Sequence, residues 1–294
     1  MSYRKLKIFS IYLFSILSIG AIARDPVIYG EDNRIETLES KNMLYKRLAS
    51  ATAALIPEKK LRFEGRNAFI IAPSISMELN ICSEEKFSHQ PKASDCSGVL
   101  VAPDIIATAG HCYMDPSHCG SKYWVFNYTA RNARQTRFSV RSRDVYACKE
   151  IIDMQLTEAW KNSEEYLDYT LIRLDRPVVN TAPVKLARGL PAKNQKVLTI
   201  GNPSGLPQKI ADGAWVRSTG KVEFKANLDT FNFGSGSPVF DQESGEYLGV
   251  LSRGADDFIQ HKTKSCLISN RINDSEPGEI IASIIQFKKI LERR

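Results

Sequence analysis

The sequence predicts an all-β protein, and three observations lead there. Its apolar runs are short. Glycine, proline and aspartate punctuate them at close intervals. A helical spacing of apolar residues appears only near the C-terminus. Short strands bounded by turn residues cannot bury their edges alone, so a closed barrel or a sandwich is expected.

The first 23 residues are read as an export signal rather than as fold. Arg4, Lys5 and Lys7 form a positive start, Ile8–Gly20 is an apolar run, and Ala21-Ile22-Ala23 meets the small-x-small cleavage rule. The run falls short of the ~20 apolar residues that a membrane span needs. Its removal takes away three positive and no negative charges, so the formal net charge falls from +7 to +4. The remaining lysines and arginines are scattered without an aromatic-interleaved stripe, which argues against a nucleic-acid binder.

The strands follow in order. Val99–Ala102 is apolar, Pro103-Asp104 turns the chain, and Ile105–Thr108 resumes. Lys122–Tyr128 alternates with aromatics, and Tyr169–Leu174 stops at Asp175-Arg176-Pro177. Lys196–Ile200 ends at Gly201, and Trp215–Phe224 reads as a hairpin turning near Thr219-Gly220. Ser237–Phe240 and Tyr247–Ser252 are joined through Ser244-Gly245. From about Glu279 to Leu291, Ile280, Ile284, Phe287 and Leu291 recur at intervals of four, three and four. That period predicts a C-terminal helix with one buried stripe.

Three segments carry candidate chemistry. Thr108-Ala109-Gly110-His111-Cys112 places a histidine just after an apolar strand. Asp168-Tyr169-Thr170-Leu171-Ile172 places a carboxylate at the head of another. Gly234-Ser235-Gly236-Ser237-Pro238-Val239 is a glycine-flanked serine before a third. Each alone has an ordinary explanation, as a structural histidine, a cap or a tight turn. A serine hydroxyl becomes a nucleophile only beside a base, and imidazole can be that base near neutral pH.

In the order His, Asp, Ser, the three segments resemble the trypsin-like serine proteases. The likeness runs from about Val27 to the C-terminal helix and is nearest the bacterial branch that includes the glutamyl endopeptidases. Val27–Arg34, Gly201-Asn202-Pro203-Ser204-Gly205 and Asn227-Leu228-Asp229-Thr230-Phe231 resemble that branch's mature start, second-barrel loop and pocket segment. The resemblance implies two six-stranded antiparallel barrels, roughly 45–180 and 181–277, after an N-terminal segment 24–44 and before a C-terminal helix 278–294. It implies that His111, Asp168 and Ser235 form a catalytic triad, with the backbone N–H groups of Phe233 and Ser235 as an oxyanion hole. Substrate would be bound by Asp229, Thr230, Ser252 and Gly254.

It implies as well a secreted or periplasmic, monomeric endopeptidase acting on proteins or peptides. No cofactor, metal, nucleic acid or stable membrane association after signal cleavage is called for. Of the six cysteines, Cys96 and Cys112 would pair around the His111 loop. Cys119–Cys148 and Cys82–Cys266 complete one of the fifteen possible connectivities. Asp229, six residues before Ser235, stands where the family's aspartate selects arginine or lysine, whereas the position of the glutamyl branch's pocket histidine holds Leu251. The family's Gly-Asp or Gly-Asn before the nucleophile is here Phe233-Gly234. That departure leaves a second reading open, a binding protein on the same fold with impaired catalysis.

Overall fold

A computed structural model of the chain describes residues 28–115, 117–157, 167–230, 234–253, 257–276 and 278–293. The export segment, Phe233 and Gly254 lie outside the described residues.

Six strands close the first barrel: β1 (Thr52–Pro57), β2 (Cys96–Ala102), β3 (Ile105–Thr108), β4 (Lys122–Phe126), β5 (Val145–Leu156) and β6 (Asp168–Leu174). Around the ring they run β5-β6-β3-β2-β1-β4, each antiparallel to its neighbours. Successive side chains of β4 alternate between two apolar clusters, buried Trp124 and Phe126 in one and buried Val125 with partly buried Tyr123 in the other; Trp124 lies over Gly98, where a Cβ would strike its ring and Ile106. The turn Pro103-Asp104 joins β2 to β3 as read from the sequence.

The second barrel comprises β7 (Lys196–Gly201), β8 (Lys209–Thr219), β9 (Glu223–Ala226), β10 (Pro238–Asp241), β11 (Tyr247–Arg253) and β12 (Glu279–Ser283). It closes in the order β7-β10-β11-β12-β9-β8, again antiparallel throughout. A short strand, Ile35–Glu36, adds to the outer side of β8 through Ile35↔Ile210 and Glu36↔Lys209.

The C-terminal helix is much shorter than its periodicity predicts. Residues 279–283 are β12, a single tight turn covers Ile284–Gln286, and only Lys288–Glu292 is α-helical. The second barrel therefore extends past the expected boundary at 277. Spacing at 280, 284, 287 and 291 suits a helix, but β12 gains a ladder on both sides, with β9 and with β11. Two rows of long-range hydrogen bonds outweigh a local preference, and a run such as Ile280-Ile281-Ala282 fits a buried strand equally well.

The helix Met43–Ser50 begins at Asn42, whose side chain accepts from the N–H groups of Leu44 (2.9 Å) and Tyr45 (3.4 Å). It buries Tyr45, Leu48 and Ala49. Its C-terminal carbonyl, Ala49 O, accepts from Gln208 Nε2 at 3.0 Å, which ties the helix to the approach to β8.

Three disulfides brace the molecule: Cys96–Cys112, Cys119–Cys148 and Cys82–Cys266. The last joins residues 184 apart in sequence, linking the loop before β2 to the loop before β12.

Candidate functional site

The two barrels bring the three candidate segments together at their seam. His111 sits in the tight turn Gly110–Tyr113 just after β3, and Asp168 is the first residue of β6. Asp168 is fully buried. Its Oδ1 accepts from the backbone N–H of His111 at 3.0 Å, and its Oδ2 lies 2.9 Å from His111 Nδ1. Ser252 Oγ, from β11 of the other barrel, also donates to Oδ2.

Burial alone would raise the pKa of Asp168. The hydrogen bonds from His111 and Ser252 and the charge on His111 outweigh it and hold the carboxyl below its usual value. An ionised carboxylate can only accept, so Nδ1 carries a proton, and in the neutral imidazole it is Nε2, facing away from Asp168, that keeps the lone pair.

Gly110 makes that approach sterically possible: a Cβ there would run into Gln155 O and crowd Asp168 Oδ1. The glycine of Thr-Ala-Gly-His-Cys is thus a matter of close approach between β3's exit and β5.

Ser235 lies half-buried in the turn before β10. Its carbonyl accepts from Ser97 N at 2.8 Å. Ser97 follows Cys96, and Cys96 is bonded to Cys112, the residue after His111. One disulfide and one hydrogen bond therefore tether Ser235 to His111 across the seam. Gly236 turns the chain at φ +82°, and a side chain there would collide with Ser97 O and Thr108 Oγ1. Ser97 Oγ also accepts from Asn202 N at 2.8 Å, so the loop after β7 docks on the same strand.

Asp229 is placed differently from the expectation of an open pocket base. It is 4% exposed. Its Oδ1 accepts from Tyr29 N at 2.8 Å and its Oδ2 from Asn33 N at 3.2 Å, so it anchors the N-terminal segment 28–36. Burial pushes its carboxyl up to about 6, against the pull of those two N–H groups and of Arg34. Alongside, Asp32 pairs bidentately with the buried Arg34 (2.8 and 2.7 Å), and Glu36 pairs with the buried Lys209 at 3.0 Å. Burial lowers Lys209 to about 8 even though Glu36 opposes it. Arg34, Lys209, Asp229, Thr230 and Gly234 border a space of about 10 Å³, room for a single water.

Ser252, expected to help bind substrate, turns its hydroxyl to Asp168. Thr230 is buried next to Asp229, and Leu251 is buried with its N–H donating to Ser237 O at 2.9 Å. The sequence reading did not single out Gln286, whose side-chain Oε1 accepts from Asp168 N at 3.3 Å. No local pattern marks that residue, which lies 118 positions from its partner. Among the described residues no cluster of three His, Cys, Asp or Glu is placed to hold a metal, and no helix is long and apolar enough to cross a membrane.

Comparison with known proteins bears on the family and the fold. The family model described as a trypsin-like peptidase domain matches residues 96–250, a stretch that includes His111, Asp168 and Ser235. The glutamyl endopeptidase of Bacillus licheniformis is 29% identical over 158 residues, 51% of this chain and 46% of that protein. The chain thus spans about half the length of that curated relative. A Glu endopeptidase solved in complex with MPD superposes with a TM-score of 0.51 at 15% identity, covering 91% of this chain and all of that one. Mouse neuropsin, a serine protease, superposes with 0.51 at 17% identity, covering 83% and 94%. Human heparin binding protein does so with 0.50 at 13%, covering 84% and 92%. At such identities these superpositions speak to the fold alone. With the family model matching more than half of its length, the chain belongs to the trypsin-like peptidase family.

Proposed function

We propose that the protein is an exported serine endopeptidase that hydrolyses peptide bonds through His111, Asp168 and Ser235. The observation that carries this reading is the buried Asp168 carboxylate, which receives both the N–H and the Nδ1 of His111 and leaves Nε2 free to act as a base. His111 takes the Ser235 hydroxyl proton as Oγ attacks the substrate carbonyl, then returns it to the leaving amine. Water, activated by the same histidine, hydrolyses the acyl-enzyme. Backbone N–H groups at Phe233 and Ser235 receive the oxyanion, and losing one such donor costs roughly 10²–10³ in rate. The mechanism needs no cofactor. Three disulfides fit an oxidising compartment outside the cytoplasm. The protein works as a monomer on protein or peptide substrates.

The test is labelling by a fluorophosphonate, with peptide-library cleavage by the purified protein and Ser235→Ala as control. Labelling and cleavage that both vanish in the variant support the reading. A wild type that does neither returns the chain to the alternative of a binding protein on this fold.

Specificity has two readings. Arg or Lys preference through Asp229 requires residues 29–33 to withdraw from its carboxylate, since both oxygens now accept from their backbone. With that segment docked, an acidic preference, as the name of the Bacillus relative indicates, is the better supported. Matched Arg, Lys, Glu and Phe reporter peptides on the wild type and on Asp229→Ser separate the two. A basic preference lost in Asp229→Ser restores the first reading.

A further inference from the structure

The C-terminal turn lies across the seam between the barrels, directly behind Asp168. Ser283 closes β12, its N–H donates to Val222 O at 2.9 Å, and its hydroxyl accepts from Ile285 N at 3.4 Å to start the turn Ile284–Gln286. Gln286 leaves that turn with its side-chain amide between two backbone groups. Oε1 accepts from Asp168 N at 3.3 Å, and Nε2 donates to Val222 O at 2.9 Å. Asp168 belongs to the first barrel, while Val222 lies in the β8–β9 turn of the second.

The following residue repeats the arrangement with apolar surface. Phe287 is fully buried, its ring centroid 5.1 Å from Tyr169 in the first barrel and 6.3 Å from Tyr247 in the second. Tyr169 adjoins Asp168, and its hydroxyl donates to Asp153 Oδ2 at 2.6 Å.

The backbone of Asp168 sits where the barrel's own ladder runs out. Pairing of β6 with β3 begins at Thr170↔Thr108, because the chain leaves the barrel after Thr108 to carry His111. Pairing with β5 ends at Leu156↔Asp168. The departure that delivers the histidine leaves the neighbouring carboxylate residue two positions beyond the β3 ladder. A side chain from the other barrel receives its N–H there.

We propose that Gln286 is a positioning residue for the triad: by joining Asp168 N–H to Val222 O, it sets the place of the Asp168 carboxylate, and through it His111, relative to the barrel that carries Ser235. The role rests on the peptidase reading above. Gln286 touches neither substrate nor a reacting atom, so its effect falls on turnover rather than on substrate binding. A misplacement of the order of 1 Å is enough to matter, because near-attack geometry tolerates little displacement.

The test compares the full chain with Gln286→Met, which keeps length and volume but loses both hydrogen bonds, and with Phe287→Leu, which thins the packing of the same turn and keeps them. Active sites are counted by fluorophosphonate titration, and kcat and KM are measured per titrated site on one reporter peptide. Gln286→Met is expected to lose about tenfold in kcat with KM within about twofold. Phe287→Leu is expected to lower the thermal midpoint while its kcat per site stays near that of the wild type.

If Gln286→Met does not accumulate as folded protein, Gln286→Asn carries the test, since it keeps the amide and shortens its reach by one methylene. Its kcat should drop by about threefold or more. A wild-type kcat per site in the folded Gln286 variant overturns the proposal. So does an equal loss in Phe287→Leu, which would assign the effect to packing. A wild type that neither labels nor cleaves defeats the peptidase reading itself, whereas an active wild type with an indifferent Gln286 variant defeats only the positioning role.

Discussion

At Asp168 three donors converge on a carboxylate that water does not reach, two from His111 and one from Ser252. A buried carboxylate with that many donors stays ionised, and only an ionised one holds the imidazole in the tautomer that makes Nε2 a base. Ser235→Ala is expected to abolish turnover while circular dichroism and the thermal midpoint stay close to wild type, because the side chain is small and half-buried. Retained turnover in that variant, with loss in Ser237→Ala, would move the nucleophile to Ser237. Gly110→Ala is expected to do the opposite kind of damage. Its Cβ has no room beside Gln155 O, so the His111 turn must shift, costing on the order of 1–3 kcal/mol in stability and at least tenfold in kcat/KM. A stable and fully active Gly110→Ala protein would contradict that packing.

At the scale of elements, the segment 28–36 behaves as a strap on the second barrel. It is held by β pairing at both ends, to Arg271-Ile272 and to β8, and in the middle by Asp229. Because burial raises Asp229 to about 6, the folded protein holds this proton over a range where the unfolded chain has released it. The stability associated with the proton is full below the ordinary carboxylate range and is lost as pH rises through about 6. Asp229→Asn should remove that slope, so the difference in thermal midpoint between variant and wild type should move in the variant's favour from pH 4 to pH 7. Parallel midpoint curves would show that Asp229 does not titrate in this window. The Cys96–Cys112 link acts one element away. Replacing both cysteines by serine should cost about 3 kcal/mol for a loop of this length. It should depress kcat as well, because it cuts the tether between the His111 turn and Ser97.

At the scale of the molecule, both barrels close with the same strand order. Counting each barrel's strands from one to six, each ring reads 5-6-3-2-1-4. No repeat shows in the sequence, since ring order depends on which strands pair and many different apolar side chains satisfy one pairing scheme. The site lies at the seam of this duplicated plan, with His111 and Asp168 from one ring and Ser235 and Ser252 from the other. Cys82–Cys266 crosses between the halves outside the rings. Replacing both cysteines by serine should lower the denaturation midpoint with little change in kcat, because neither residue adjoins the site. A selective loss of kcat with unchanged stability would place that disulfide in the active-site machinery.

What the sequence determined by itself is what local chemistry can encode. The turn at Pro103-Asp104, the strands on either side of it, the alternation in β4 and the hairpin near Gly220 follow from side-chain periodicity and turn residues. The three candidate segments were legible because a glycine that permits close approach, a histidine and a flanked serine leave short, dense signatures. Only the tertiary structure decided the rest. Residues 279–283 became a strand rather than a helix because two partner strands far away in sequence supply hydrogen bonds that no local window contains. Asp229 became an anchor rather than an open pocket base because the N-terminal segment, some 200 residues earlier, offers it two N–H groups. Ser252 and Gln286 serve Asp168 from the opposite barrel, and their contact with it exists only once the barrels have closed and packed against each other.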